Sequence, residues 1–150
     1  MFVEFLELSP VYPYDLSAAD FDTRHPPETT PNSVRWQREA VVDRTVDLAK
    51  ALHHPTKTVV YARLLLKAQS GGDIDLQLGS NDGVTVFVNG AKVLARNVSR
   101  GLQLGDENLV VPLRKGLNTL LFRVTQHELR HGLALRLAAR GNLRVVQASP

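Results

Sequence analysis

Cysteine is absent from the 150 residues, so no disulfide staples this chain, no thiolate holds a metal and no thiol acts as a nucleophile. Aromatic side chains are scarce: one Trp, three Tyr and five Phe. That leaves few flat rings to stack on a sugar or a base. No apolar run approaches the ~18 residues that span a bilayer as a helix, which argues against a membrane partner. The opening residues 1–7 carry two acids and no base, unlike a signal peptide, so the chain reads as intracellular or as an internal piece of a longer protein. G-x-S-x-G, the P-loop and G-x-G-x-x-G are all missing, and with them the support for serine hydrolysis or nucleotide binding.

What is present suits a single globular domain. Hydrophobic residues make up 43% and charged residues 22%, ordinary values for a chain that can bury one core. The net charge of +3 conceals a gradient. Residues 1–50 hold nine acids and five bases, whereas seven bases from Arg114 onward face Glu128 alone. Those bases are spaced out along the chain, the pattern of a solvated face and not of a nucleic-acid patch.

Turn residues and period-two alternation dominate the chain. Residues 2–8 read as an opening strand closed by Ser9-Pro10. Five prolines between Pro10 and Asn32 withhold donors and predict a long loop wrapped over the body. Residues 34–42 around Trp36 and residues 45–48 read as short strands, and residues 53–57 as a turn. Residues 58–68 form a continuous β-branched and apolar run, the signature of a strand buried on both faces. Ile74, Leu76 and Leu78 alternate with Asp73, Asp75 and Gln77, which marks a strand with one wet face. Asn81-Asp82-Gly83 and Asn89-Gly90 predict two tight hairpin turns within residues 78–94, with Val84, Val86 and Val88 facing away from Thr85 and Phe87. Lys115-Gly116-Leu117-Asn118 predicts a third within residues 111–124. Strands over 108–113, 118–125, 132–138 and 143–146 complete an all-β, antiparallel sandwich.

In order along the chain come Pro26-Pro27-Glu28, the Trp36 strand, Val46-Asp47-Leu48, Tyr61-Ala62-Arg63, Leu78-Gly79-Ser80-Asn81-Asp82-Gly83, Val86-Phe87-Val88-Asn89-Gly90, Leu113-Arg114-Lys115-Gly116-Leu117-Asn118 and Leu135-Arg136-Leu137. Over residues 34–138 this resembles the galactose-binding-domain-like jelly roll, the accessory module of many bacterial glycoside hydrolases and other secreted enzymes. The resemblance implies a core sandwich over 34–138, preceded by a strand and a proline-rich wrap over 1–33 and followed by an extension over 139–150. It implies a non-catalytic module whose partner is carbohydrate or a neighbouring catalytic domain, secreted or periplasmic with its enzyme. Modules of this fold often carry a structural Ca²⁺. Phe87 stands where such modules commonly have Trp, and residues 126–132 lack their usual Gly and Trp.

Several constellations invite a chemical reading. His127-Glu128-Leu129-Arg130-His131 spells the H-E-x-x-H zinc motif, which works only on a helix that brings both histidines to one face. Here alternating residues precede it, Gly132 follows it, and residues 132–150 offer no His, Asp or Glu as a third ligand. A polar loop is expected, and a small zinc hydrolase is the remote alternative. His53 and His54 could join His127 and His131 around an opportunistic transition metal. Asp73, Asp75 and Asp82, or Asp106 and Glu107, are the carboxylates a calcium ion would use.

For a glycan, Tyr14, Trp36, His54, Asn97, Arg100 and His131 are the candidates, because each sits in or beside an expected loop and can stack on or bond to hydroxyls. Tyr12 and Tyr14 in the proline-rich loop should be the freest rings, and Tyr61 and Phe87 should be core. Arg100 and the basic C-terminal strands favour acidic sugars. The alternative from another class is a structural or protein-interaction sandwich with no small-molecule ligand.

Overall fold

A computed structural model describes residues 1, 3–53, 56–127 and 130–149. Two antiparallel sheets pack face to face. The larger runs β3 (Gln37–Ala40), β1 (Phe5–Leu8), β5 (Thr58–Ala68), β10 (Gly116–Gln126), β7 (Val84–Val88), β8 (Ala91–Arg96). Two short pieces, β2 (Tyr12–Pro13) and β12 (Val145–Gln147), also pair with β5. The smaller sheet runs β4 (Thr45–Asp47), β11 (Gly132–Ala139), β6 (Gly72–Asn81), β9 (Glu107–Leu113). No helix among the described residues is long and apolar enough to cross a membrane.

Alternation decides what each strand contributes. Val60, Ala62, Leu64 and Leu66 of β5, Leu120, Phe122 and Val124 of β10, and Val84, Val86 and Val88 of β7 turn inward. They meet Ile74, Leu76 and Leu78 of β6 and Leu133, Leu135 and Leu137 of β11. This is the aligned sandwich core, from which the hydrophobic effect draws most of the stability. The opposite residues of the same strands face outward, and the two outer faces differ in what covers them.

The Asn89-Gly90 hairpin forms as expected between β7 and β8, with φ of 49° at Asn89 and 86° at Gly90, the left-handed pair that a type I′ turn demands. The other two expected hairpins are corners. Asn81-Asp82-Gly83 joins β6 to β7, and Lys115-Gly116 joins β9 to β10, and in each case the two strands belong to different sheets. A reversal inside one sheet and a step between two stacked sheets recruit the same turn residues; only the distant pairings tell them apart. Asn118 holds the second corner, accepting from the Arg114 N–H at 3.0 Å and donating to the Arg114 carbonyl at 2.9 Å.

The proline-rich stretch does cross the body, but with local order. It contains β2, one-turn helices α1 (Ala18–Phe21) and α2 (Pro26–Thr29), and a 3-10 turn over Pro31–Ser33. The Ser17 hydroxyl caps α1 by accepting from the Asp20 N–H at 3.0 Å. The stretch lies on the outer face of the larger sheet, where Tyr14, Phe21, Val59 and Tyr61 form a second, small apolar cluster.

Candidate functional site

The outer face of the larger sheet is read most easily along its register. Arg38, Glu7, Arg63, Leu121, Phe87 and Lys92 are directly opposed, strand to strand, in one row across all six strands. Lys92 joins the row through a β-bulge: the register shifts between Val86 and Phe87, so that Phe87 faces Lys92 and not Val93. The next row on this face sets Arg123 of β10 between Tyr61 of β5 and Thr85 of β7.

The proline-rich segment closes over these rows and leaves a cleft of about 520 Å³. Its floor is Arg63, Thr119, Leu121, Arg123, Phe87 and Lys92, and its other wall is Asp22, Arg24, Pro27, Glu28, Asn32 and Trp36. The Arg63 guanidinium lies 4.2 Å from the centre of the Trp36 ring and forms two 3.1 Å bonds to the Glu7 carboxylate. Stacking and the bidentate pair together hold this planar group in one orientation.

A buried polar knot anchors the segment beside the cleft. Arg123 is 2% exposed and donates from Nη1 to Glu28 Oε2 at 2.6 Å; the same oxygen accepts the Tyr61 hydroxyl in a short hydrogen bond. Burial, reinforced by the Glu28 carboxylate, pushes the Tyr61 hydroxyl far above the ordinary tyrosine range. His25 stacks on Tyr12 with ring centres 4.7 Å apart, and burial holds its imidazole below the ordinary histidine range. Two donors of the cleft residues, Trp36 Nε1 and Arg123 Nε, are buried without a hydrogen-bond partner among the described residues. Buried donors in that state are uncommon and call for an explanation.

The residues proposed from sequence are dispersed. Trp36 lies in the cleft wall, just before β3 and half-buried. Tyr14, expected as a free ring, is 3% exposed, because its ring packs into the small cluster with Phe21 and Tyr61. Asn97 is exposed in the loop after β8. Arg100 is committed to the protein: it donates to Glu107 Oε2 at 2.8 Å, to the Ser80 hydroxyl at 3.1 Å and to the Ser80 carbonyl at 3.3 Å. His131 is 1% exposed, with Nε2 3.0 Å from the Val124 carbonyl. His54 lies outside the described residues, as do Glu128 and Leu129 of the zinc motif.

His127 directly follows β10 and His131 directly precedes β11, so both flank strands. The His127 N–H donates to Asp82 Oδ2 at 2.7 Å, and the Arg100 N–H to Asp82 Oδ1 at 3.0 Å. Three of the five carboxylates proposed for calcium are spent likewise: Asp75 on Arg140, Glu107 on Arg96 and Arg100, Asp82 on two backbone amides. Among the described residues no group of three or more His, Cys, Asp or Glu is placed to hold a metal.

Sequence reasoning passed over Arg63, Phe87, Lys92 and Arg123. Phe87 was expected in the core but lines the cleft, since its beat on β7 is opposite that of the core valines.

No family model and no curated protein matches the chain. Solved structures do. The PA14 sugar-binding domain of an RTX adhesin superposes with a TM-score of 0.55 at 16% identity, over 97% of this chain and 96% of that one. The PA14 domain of the MpAFP antifreeze protein gives 0.56 at 13% identity, over 95% and 87%. An anti-sigma factor domain-containing protein gives 0.57 at 12% identity over 97% of this chain, which spans only 46% of it. The shared feature is the β-sandwich itself, a fold that carbohydrate-binding domains use.

Proposed function

We propose that the chain is a single, non-catalytic carbohydrate-binding module of a larger carbohydrate-active protein, and that it takes its sugar in the cleft on the outer face of the larger sheet. The fold likeness to the PA14 sugar-binding domain of an RTX adhesin supports this reading, as does the motif resemblance to galactose-binding-domain-like accessory modules. The observation that carries it is the make-up of the cleft. Trp36 and Phe87 supply ring surface for the apolar face of a pyranose, and the exposed Arg24 and Lys92 side chains supply donors for its oxygens. Both carboxylates of the cleft already face cations: Glu28 bonds Arg123, and Asp22 lies 3.8 Å from it. A glycosidase needs one acid and one base free to act, so binding without hydrolysis is the better account.

Titration calorimetry against a panel of oligosaccharides tests the proposal. Lone modules of this size should bind with Kd between about 1 μM and 1 mM, or roughly −8 to −4 kcal/mol. Phe87→Ala should weaken binding about tenfold, the worth of one lost ring contact of ~1.4 kcal/mol. Binding that Phe87→Ala and Trp36→Ala leave intact would move the site elsewhere. Silence across the panel would remove the function.

A further inference from the structure

We infer that the sugar this cleft accepts is anionic, carrying a carboxylate or a sulfate ester, and that Arg24 and Lys92 at the rim read that charge. The inference rests on the cleft being the sugar site. Its basis is a mismatch between what the cleft offers and what the protein uses. Two of the four lining cations are satisfied: Arg63 by Glu7, and Arg123 by Glu28. Of the remaining two, Lys92 meets Asp22, and Arg24 meets the Glu28 carboxylate that Arg123 already holds.

Their own pairings are at the limit of contact. Arg24 Nε lies 3.9 Å from Glu28 Oε1, and that carboxylate already serves Arg123 and Tyr61. Lys92 Nζ lies 4.0 Å from Asp22 Oδ1, with both side chains about half exposed or more. Such pairs contribute little and exchange readily for a better acceptor. Arg24 and Lys92 can only donate, so a fitting ligand brings oxygen acceptors and no surplus of donors.

A neutral pyranose answers the donors with hydroxyls but leaves the rim charge uncompensated. A uronate or sulfated sugar answers both, and its bonds to Arg24 and Lys92 are charge-assisted, about twice as strong as neutral ones. The bulge in β8 gains a purpose here, since strict alternation would set Val93 opposite Phe87 in place of Lys92.

Calorimetry on the full chain decides the matter, with three oligosaccharides of equal length: neutral, uronate-bearing and sulfated, and inorganic sulfate alone as a fourth probe. The acidic sugars should bind at least tenfold more tightly than the neutral one, and the difference should shrink as salt is raised. The double variant Arg24→Gln, Lys92→Gln should bring them down to the neutral level. A melting temperature equal to that of the parent protein confirms that the variant is folded. The two acidic arms tell whether carboxylate or sulfate is preferred. Equal affinity for neutral and acidic sugars, lost on Phe87→Ala, overturns the charge preference and keeps the sugar site. Inorganic sulfate binding as tightly as the sulfated sugar overturns sugar recognition in this cleft, and no binding by any probe overturns both.

Discussion

Two irregular segments are each tied to this sandwich by an arginine–glutamate pair, and they differ in how closely they lie on it. On the larger sheet the arginine belongs to the strand and the glutamate to the segment: Arg123 on β10 holds Glu28, with side chains 2% and 6% exposed. At the smaller sheet the roles are exchanged, with Arg100 in the loop between β8 and β9 and Glu107 at the start of β9, 20% and 9% exposed. The second segment lies flush: a Cβ added to Gly79 would sit 2.0 Å from the Gln103 carbonyl oxygen. The first stands off by the bulk of Trp36, Arg63 and Phe87, and the cleft is the gap that remains. A tether pressed against its sheet is a seal; a tether propped away by aromatic and guanidinium side chains leaves an open cleft.

Breaking the more buried tether should cost most. Glu28→Ala leaves Arg123 charged and enclosed, and should destabilise the fold by about 3–5 kcal/mol in denaturant titration. A loss under 1 kcal/mol would mean that water already reaches the pair. Arg100→Ala should cost less, about 1.5–3 kcal/mol, because Arg96 Nε still lies 3.0 Å from Glu107 Oε1. The ordering of these two variants is the sharpest check on the contrast.

Acid should discriminate between the tethers as well. His25 lies under the first segment with its pKa lowered by burial, with Arg123 acting in the same sense and Asp20 and Glu28 opposing. The unfolded chain therefore takes up the proton first as pH falls below about 6.5. Stability is full above that value and declines as pH drops toward the lowered folded pKa. Thermal melts from pH 7.5 to 5 should show this decline, and His25→Gln should flatten it. An identical slope in the variant would assign the acid sensitivity elsewhere. The smallest effect belongs to the open face of the smaller sheet. Asp75 and Arg140 form a bidentate but half-exposed pair there, and Asp75→Ala should leave the denaturation midpoint within error.

Much of this frame could be read from the residues. The β5 strand ends where its β-branched and apolar run ends, and the Asn89-Gly90 turn is local chemistry. The corners could not be read, because which sheet a strand joins is decided by partners far along the chain, as when residues 132–139 pair with residues 74–81. Trp36 was recognisable as a candidate because it sits beside an expected loop. Arg123 was not, because an outward arginine on an alternating strand looks like solvated surface until something crosses over it, and Arg63 lies inside a run that reads as buried on both faces. Lys92 was concealed by the bulge. Tyr14, Arg100 and His131 erred the other way: their flanking sequence reads as loop, while their side chains are enclosed by elements distant in sequence.

The β5 strand is also a seam. One of its edges is zipped along all eleven residues by β10. The other is shared by β2, β1 and β12, three scraps pairing at residues 58–59, 62–63 and 66–68. Gln147 stitches two of them, its side-chain amide donating to the Phe5 carbonyl at 2.7 Å and accepting from the Glu4 N–H at 2.9 Å, as a peptide group would. If the last scrap peels away, Leu66 to Ala68 present bare backbone donors and acceptors beside an apolar interior, a template on which a second molecule can add a strand. A three-residue patch is thus what keeps one of the two longest strands of this sandwich from recruiting its neighbours.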